Sequence, residues 1–219
     1  MDTKFRQNLR LPFPWRQGEH LTITGDTGTG KTTLANTLLQ VRGSTLAIKS
    51  KADKAPLPGI VVSTAEQFRR GEESRYVLYP KPKLVNGAVH QRVEFAKAIN
   101  TVWEEGRWCI YFDELFYITK IGLGAFVDML LTQGRSNDIT VVCGMQRPVG
   151  VTRYAMSQAT HLIAFRGEDR DIRILDEIGG REWAKAVAKL QRYEFAWYYR
   201  PDRKVWTGKV QDLLAINPE

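Results

Sequence analysis

The sequence is poor in the residues that staple or ligate. Of 219 residues, two are cysteine (Cys109 and Cys143) and three are histidine (His20, His90 and His161). Both cysteines lie inside apolar runs, so they read as buried thiols of a cytosolic protein rather than a disulfide framework or metal site. The histidines are scattered without ligand spacing. No apolar run reaches the roughly 18 residues of a membrane span, so none is expected. The N-terminal stretch MDTKFRQNLRLPFPWRQGE lacks an apolar centre, and a signal peptide is not expected either. Internal repeats and low-complexity stretches are also missing.

What is present suffices for a core. Hydrophobic residues make up 43% of the chain, which argues against disorder, and the length suits one domain or one domain with a small extension. Lys and Arg number 32 against 24 Asp and Glu, a net charge of +8. The excess is localised. Residues 42–83 carry nine basic residues (Arg42, Lys49, Lys51, Lys54, Arg69, Arg70, Arg75, Lys81, Lys83) and four acidic ones (Asp53, Glu66, Glu72, Glu73), whereas residues 84–190 balance at 13 and 13. Such a segment is either a solvated basic surface or the footprint of a polyanion.

Patterning alternates between strands and helices. Short apolar strands are expected at Leu21–Thr24, Thr45–Ile48, Gly59–Val62, Tyr76–Tyr79, Trp108–Phe112, Ile139–Met145 and Leu162–Phe165. Helical spacing runs from Lys31 to Val41, over residues 88–105 with Val89, Val93, Ala96, Ile99 and Trp103 on one side, and over Leu123–Gln133. This order implies an α/β fold with a mostly parallel sheet flanked by helices. Glu194–Tyr199 and Lys204–Val210, joined around Pro201-Asp202, suggest a C-terminal β-hairpin extension. Its aromatics (Trp197, Tyr198, Tyr199, Trp206) suit packing on a core or a neighbouring subunit better than stacking on bases.

Gly25-Asp26-Thr27-Gly28-Thr29-Gly30-Lys31-Thr32 follows a strand and opens a helix, the context of a phosphate-binding P-loop. Glycines let the backbone curl its N–H groups toward phosphate oxygens, and the helix start adds positive potential. Lys31 is placed to reach the β- and γ-phosphates and Thr32 to offer a hydroxyl to Mg²⁺. A second apolar strand, Cys109-Ile110-Tyr111-Phe112, ends in Asp113-Glu114. Two adjacent acids suggest two roles: Asp113 supports Mg²⁺, and Glu114 accepts a proton from the attacking water. The 82 residues from Lys31 to Asp113 leave room for intervening strands, unlike simple kinases and GTPases, and the adjacent Glu points to ATPases that carry their own base. Gln146, at the end of the next strand, either contacts the γ-phosphate or water, or is an ordinary turn residue. Arg135, just before that strand, either reaches a neighbour's nucleotide or satisfies helix-end carbonyls.

The set GDTGTGKTT, CIYFDEL, QGRSNDITVVCGMQRP and SQATHLIAFRGEDRDIRIL resembles the FtsK–HerA superfamily of DNA-pumping P-loop ATPases over roughly residues 18–180. The compact length and the WCIYFDELFYIT wording resemble its viral genome-packaging branch. Met145 stands where the family usually has Thr. The resemblance implies a RecA-like (ASCE) core. It divides the chain into an N-terminal basic arm (1–17), the ATPase core (18–190) and the hairpin extension of the same domain (191–219). It implies that ATP with Mg²⁺ binds through Gly25, Asp26, Thr27, Gly28, Thr29, Gly30, Lys31, Thr32 and Thr33, with Thr32 and Asp113 at the metal. It further implies Glu114 as catalytic base, Gln146 as sensor and Arg135 as a finger acting in trans. The partner would be double-stranded DNA encircled by a homo-oligomeric ring, pentamer or hexamer, in the host cytoplasm, docked on a portal or capsid vertex protein. Lys49, Lys51, Lys54, Lys81, Lys83 and Lys120 are the candidate DNA contacts. The competing readings are an assembly or secretion ATPase working on protein or DNA transfer, and a non-catalytic nucleotide-gated scaffold, against which an intact Glu114 argues.

Overall fold

A computed structural model of the chain describes residues 9–51, 57–71, 74–82 and 85–214. Nine strands form one sheet: β1 (Leu21–Thr24), β2 (Thr45–Ile48), β3 (Ile60–Val62), β4 (Arg75–Leu78), β5 (Cys109–Phe112), β6 (Thr140–Met145), β7 (His161–Phe165), β8 (Phe195–Tyr199) and β9 (Lys204–Gly208). Their spatial order is β3-β4-β2-β5-β6-β1-β7-β8-β9. The first seven run parallel, and β8 and β9 add antiparallel. Among the described residues the α-helices are α1 (Lys31–Leu39), α2 (Gly87–Glu105), α3 (Leu115–Ile118), α4 (Gly124–Gln133), α5 (Tyr154–Ser157), α6 (Asp169–Gly179) and α7 (Arg181–Ala188).

Every residue of β1, β5, β6 and β7 is buried, because both faces of the sheet are covered. Alternation divides them between two cores. Cys109 and Tyr111 of β5 pack with Leu34 and Leu38 of α1, while Ile110 and Phe112 pack with Phe95 and Ile99 of α2. The expected hairpin is present as β8 and β9, and its aromatics pack in or against the core, Trp206 only partly buried. Trp197 is fully buried, and Tyr198 stacks on Trp183 of α7 with centroids 5.8 Å apart. Both cysteines are free and buried.

One expectation needs correction, and two further features were not anticipated. Helix α2 is rotated from the face inferred for it. Val89 and Val93 are exposed, and the buried face is Gln91, Glu94, Phe95, Ala98, Ile99 and Val102. Its polar members are buried because they are bonded. Gln91 Nε2 donates to the carbonyls of Ser50 (3.0 Å) and Pro80 (2.8 Å), and Gln91 Oε1 accepts from the Tyr117 hydroxyl (2.5 Å). Second, α6 and α7 were not anticipated. They pack as a hairpin that buries Leu175, Trp183 and Val187. Third, the stretch Leu115–Asn137, 23 residues with mean hydropathy 1.5, is long and apolar enough by composition to cross a membrane. Here Gly122 (φ 86°) kinks it, and Leu123, Val127, Leu130 and Leu131 face the core.

Buried histidines lie at the edge where the parallel strands begin. His20 Nδ1 accepts the Val141 N–H at 3.1 Å. His161 accepts the Trp197 indole N–H at Nδ1 (3.1 Å) and faces Glu19 Oε2 at 3.2 Å through Nε2. Burial pushes both imidazoles down to about 4. The unfolded chain therefore takes up protons below about pH 6.5 that the folded chain refuses until about pH 4, so stability falls as pH drops through that window. For His20 the full loss approaches about 3 kcal/mol. Urea denaturation at pH 7 and pH 5 should show a lower midpoint at pH 5, and His20→Asn should shrink that difference. An unchanged difference in the variant would place its origin elsewhere.

Candidate nucleotide site

Strand β1 feeds the P-loop into α1. Gly25, Gly28 and Gly30 take φ of 152°, 80° and 108°, a curl that side chains other than glycine resist. A Cβ at Gly25 would also lie 2.6 Å from Phe165 Cβ, so β7 closes one side of the loop. Thr29 Oγ1 donates to the Asp26 carbonyl at 2.7 Å. The Lys31 ammonium spans the loop, donating to the carbonyls of Gly25 (2.5 Å) and Asp26 (2.8 Å).

The carboxylates arrive from two strands away. β6 lies between β1 and β5, so Gln146, one residue past β6, sits between the P-loop and Asp113-Glu114. Its Nε2 donates to Glu114 Oε2 at 3.1 Å. The Thr32 hydroxyl donates to Asp113 Oδ1 at 3.3 Å, and the Tyr111 hydroxyl donates to the same oxygen at 2.8 Å. Tyr111 was missed in the sequence, although its spacing of two from Asp113 on a strand puts both on one face. Close approach of β5 and β6 requires glycine at 144. A Cβ there would lie 2.8 Å from the Asp113 carbonyl oxygen and 3.0 Å from both the Phe112 carbonyl oxygen and the Tyr111 hydroxyl.

Residues 27–33, Lys51, Asp113, Glu114, Gln146, Phe165, Tyr193, Val210 and Gln211 line one cavity of about 600 Å³. Burial lowers the Lys31 pKa, opposed chiefly by the Glu114 charge. Burial raises the Glu114 carboxyl above its ordinary value, opposed by Lys51, the Gln146 hydrogen bond and Lys31. The donor set fits Mg²⁺, with a hydroxyl and a carboxylate oxygen side by side and room left for phosphate oxygens and water. Among the described residues no cluster of three or more His, Cys, Asp or Glu could hold a metal alone.

The structure brings Lys31, Thr32, Asp113, Glu114 and Gln146 together and leaves Arg135 apart. Arg135 lies at the opposite edge of the sheet, exposed, donating to the Gly18 carbonyl (3.3 Å) and Thr160 Oγ1 (3.1 Å). The basic segment is not one surface. Arg42 is buried, 3.9 Å over the Trp15 ring, and donates to the carbonyls of Trp15 and Arg16. Lys49 is buried, and Lys51 is exposed but lines the nucleotide cavity. Lys81 and Lys120 are exposed, and Lys54 and Lys83 lie outside the described residues.

No protein-family model matches the chain. It is 28% identical to the DNA packaging ATPase P9 of Enterobacteria phage PRD1, with 74% of this chain aligned to 70% of that one. Among solved structures it resembles the genome packaging NTPase B204 of Sulfolobus turreted icosahedral virus 2 in complex with ATPγS. The TM-score is 0.71 at 16% identity, over 89% of this chain and 98% of that one. It also resembles VirB4 of Thermoanaerobacter pseudethanolicus, with a TM-score of 0.65 at 10% identity over 91% and 90% of the two chains. The resemblance to packaging ATPases drawn from the motifs is thus borne out, and the fold is that of these P-loop NTPases.

If the β5–β6 contact positions Asp113, a methyl group at residue 144 must push it away. Gly144→Ala should lower ATP turnover roughly 10–100-fold, the scale of a misplacement of about 1 Å, while leaving a cooperative urea transition. Wild-type turnover in that variant would show that the carbonyls retreat without consequence.

Proposed function

We propose that this chain is the ATPase of a viral genome-packaging motor, hydrolysing ATP to drive double-stranded DNA. The observation that carries the reading is the convergence of Lys31 and Thr32 with Asp113, Glu114 and Gln146 in one cavity, across the intervening strand β6. The likeness to P9 names the process. The P-loop N–H groups and Lys31 hold the β- and γ-phosphates, and Thr32 and Asp113 hold Mg²⁺, which neutralises phosphate charge when bound. Gln146 orients Glu114 and the water. Glu114 takes the proton as water attacks the γ-phosphorus. The bond from that phosphorus to the bridging oxygen then breaks, leaving its electron pair on ADP. Burial makes Glu114 a stronger base than a solvated carboxylate, and the Lys51 and Lys31 charges oppose that rise.

In this reading residues 18–190 are the motor core, residues 1–17 a basic arm and residues 191–219 an extension of the same domain. Arg135 is the finger acting in trans within a ring of five or six copies in the host cytoplasm, docked on a portal or capsid vertex protein. Lys81 and Lys120 contact DNA phosphates. The runner-up is an ATPase of assembly or secretion, which shares this fold and differs in what it moves.

Three measurements test this. ATP turnover should rise with duplex DNA of any sequence, and the rise should fade as salt increases, because counterion release governs phosphate contacts. Lack of stimulation at low salt by an assembled ring would favour the runner-up. Glu114→Gln should abolish turnover while retaining nucleotide binding. Arg135→Ala subunits mixed into wild-type rings should depress activity below the wild-type fraction, and strict proportionality would remove the finger from the mechanism.

A further inference from the structure

Tyr193 occupies a backbone state that few aromatic residues take. Its φ is 67°, in the left-handed region where Gly or Asn usually stands. The turn that holds it is tied on both sides. The Glu194 N–H donates to the Gln191 carbonyl at 3.1 Å, and the Gln191 N–H donates to Glu194 Oε2 at 2.8 Å. Lys209 of the C-terminal extension reaches Glu194 Oε1 at 3.7 Å. The ring these contacts present is half exposed and enters no core.

Its position gives it a use. Tyr193 borders the nucleotide cavity and also a neighbouring one of about 630 Å³, forming the wall between them together with Thr29 and Phe165. Arg192 lines only the neighbouring cavity, with its guanidinium 4.8 Å from the Tyr193 ring centroid. A cation that belongs to the neighbouring cavity thus sits over the ring, and the same ring borders the nucleotide cavity. The ring also stands beside the end of the P-loop: a Cβ on Gly30 would lie 3.8 Å from Tyr193 Cδ1. A nucleotide with its phosphates in that loop has its base to place, and Lys31, Asp113, Glu114 and Gln146 already define the phosphate end. Besides Thr32, Thr33 and Lys51, the rest of the lining is Phe165, Tyr193, Val210 and Gln211, three apolar or aromatic side chains with one carboxamide.

We propose that Tyr193 is the stacking platform for the nucleobase and that Gln211 meets its polar edge, so the turn before β8 and the segment after β9 complete the nucleotide site. The inference rests on the ATPase reading above and names the base specificity of the same site. Stacking favours the larger purine ring system over a pyrimidine. A carboxamide offers both a donor and an acceptor, so Gln211 accommodates adenine and guanine alike. The site should select purine over pyrimidine nucleotides and discriminate weakly between the purines.

The test is equilibrium binding, by calorimetry with Mg²⁺, of ATP, GTP, CTP and inorganic tripolyphosphate to the full chain and to Tyr193→Gly and Tyr193→Phe. Glycine tolerates the left-handed backbone, so that variant removes the ring without straining the turn. Wild type should bind ATP and GTP about tenfold or more tighter than CTP. Tyr193→Gly should lose about 5–150-fold for ATP, the range expected for one base–aromatic stack, with tripolyphosphate within about twofold of wild type. Tyr193→Phe should stay near wild type for all four. ATP affinity unchanged in Tyr193→Gly, an equal loss for tripolyphosphate, or a wild type indifferent to the base would each overturn the base platform while leaving the ATPase reading in place. A wild type that binds neither ATP nor tripolyphosphate would overturn the ATPase reading itself.

Discussion

The close approach of three parallel strand ends is the constraint on which the site depends. β1, β6 and β5 lie side by side, and all their residues are buried. A strand buried on both faces can carry reactive polar groups only where it ends, so the chemistry gathers at one edge of the sheet. Distances along that edge are set by strand spacing of about 4.8 Å, and β6 stands between the phosphate loop and the carboxylates. Gly144 brings β6 against the backbone of Phe112 and Asp113, and Thr32 bridges from α1 to Asp113. The remaining contacts of the site refine this geometry: Tyr111 orients Asp113, and Gln146 orients Glu114.

Much of this was legible because the relevant signals are local. The P-loop needs glycine at fixed offsets for backbone reasons, and a buried strand followed by two acids can be read from a few residues. The alternation of strands and helices gave the sheet and its hairpin, whose aromatics are packed as expected. The strand order was not legible, since nothing in the chain states that β6 inserts between β1 and β5. Convergence of Gln146 on Glu114 is a property of that order.

Polar residues that find partners account for the misread elements. On α2 the apolar spacing of Val89 and Val93 competes with a face carrying Gln91 and Glu94. The latter is buried, because Gln91 is satisfied by three partners and Glu94 Oε2 accepts the Ala65 N–H at 2.8 Å. Those partners decide the rotation, and they come from distant segments. Net charge misleads similarly. A run of basic residues suggests a basic surface, yet Arg42 turns inward onto Trp15, and Arg75 donates to the carbonyls of Gln40 and Arg42. Guanidinium groups bury when backbone oxygens and an aromatic face replace water. The +5 of residues 42–83 is therefore dispersed among structural, nucleotide-facing and exposed roles.

The opposite edge of the sheet bears on whether one copy of the chain is enough. β6 is six residues long, so at about 3.3 Å per residue its two ends lie roughly 20 Å apart. Arg135 precedes it and the cavity follows it, and an arginine side chain cannot bridge that gap. Arg135 also does not cap its own helix. It reaches to Gly18, ahead of β1, and Thr160, ahead of β7, while the residue stays exposed. Two hydrogen bonds to neighbouring strand origins fix its direction and remove rotamer freedom beforehand, which reduces the entropy lost if the guanidinium meets a phosphate. Any part Arg135 takes in phosphoryl transfer must be played on the nucleotide of a second copy, so a catalytic Arg135 requires an oligomer.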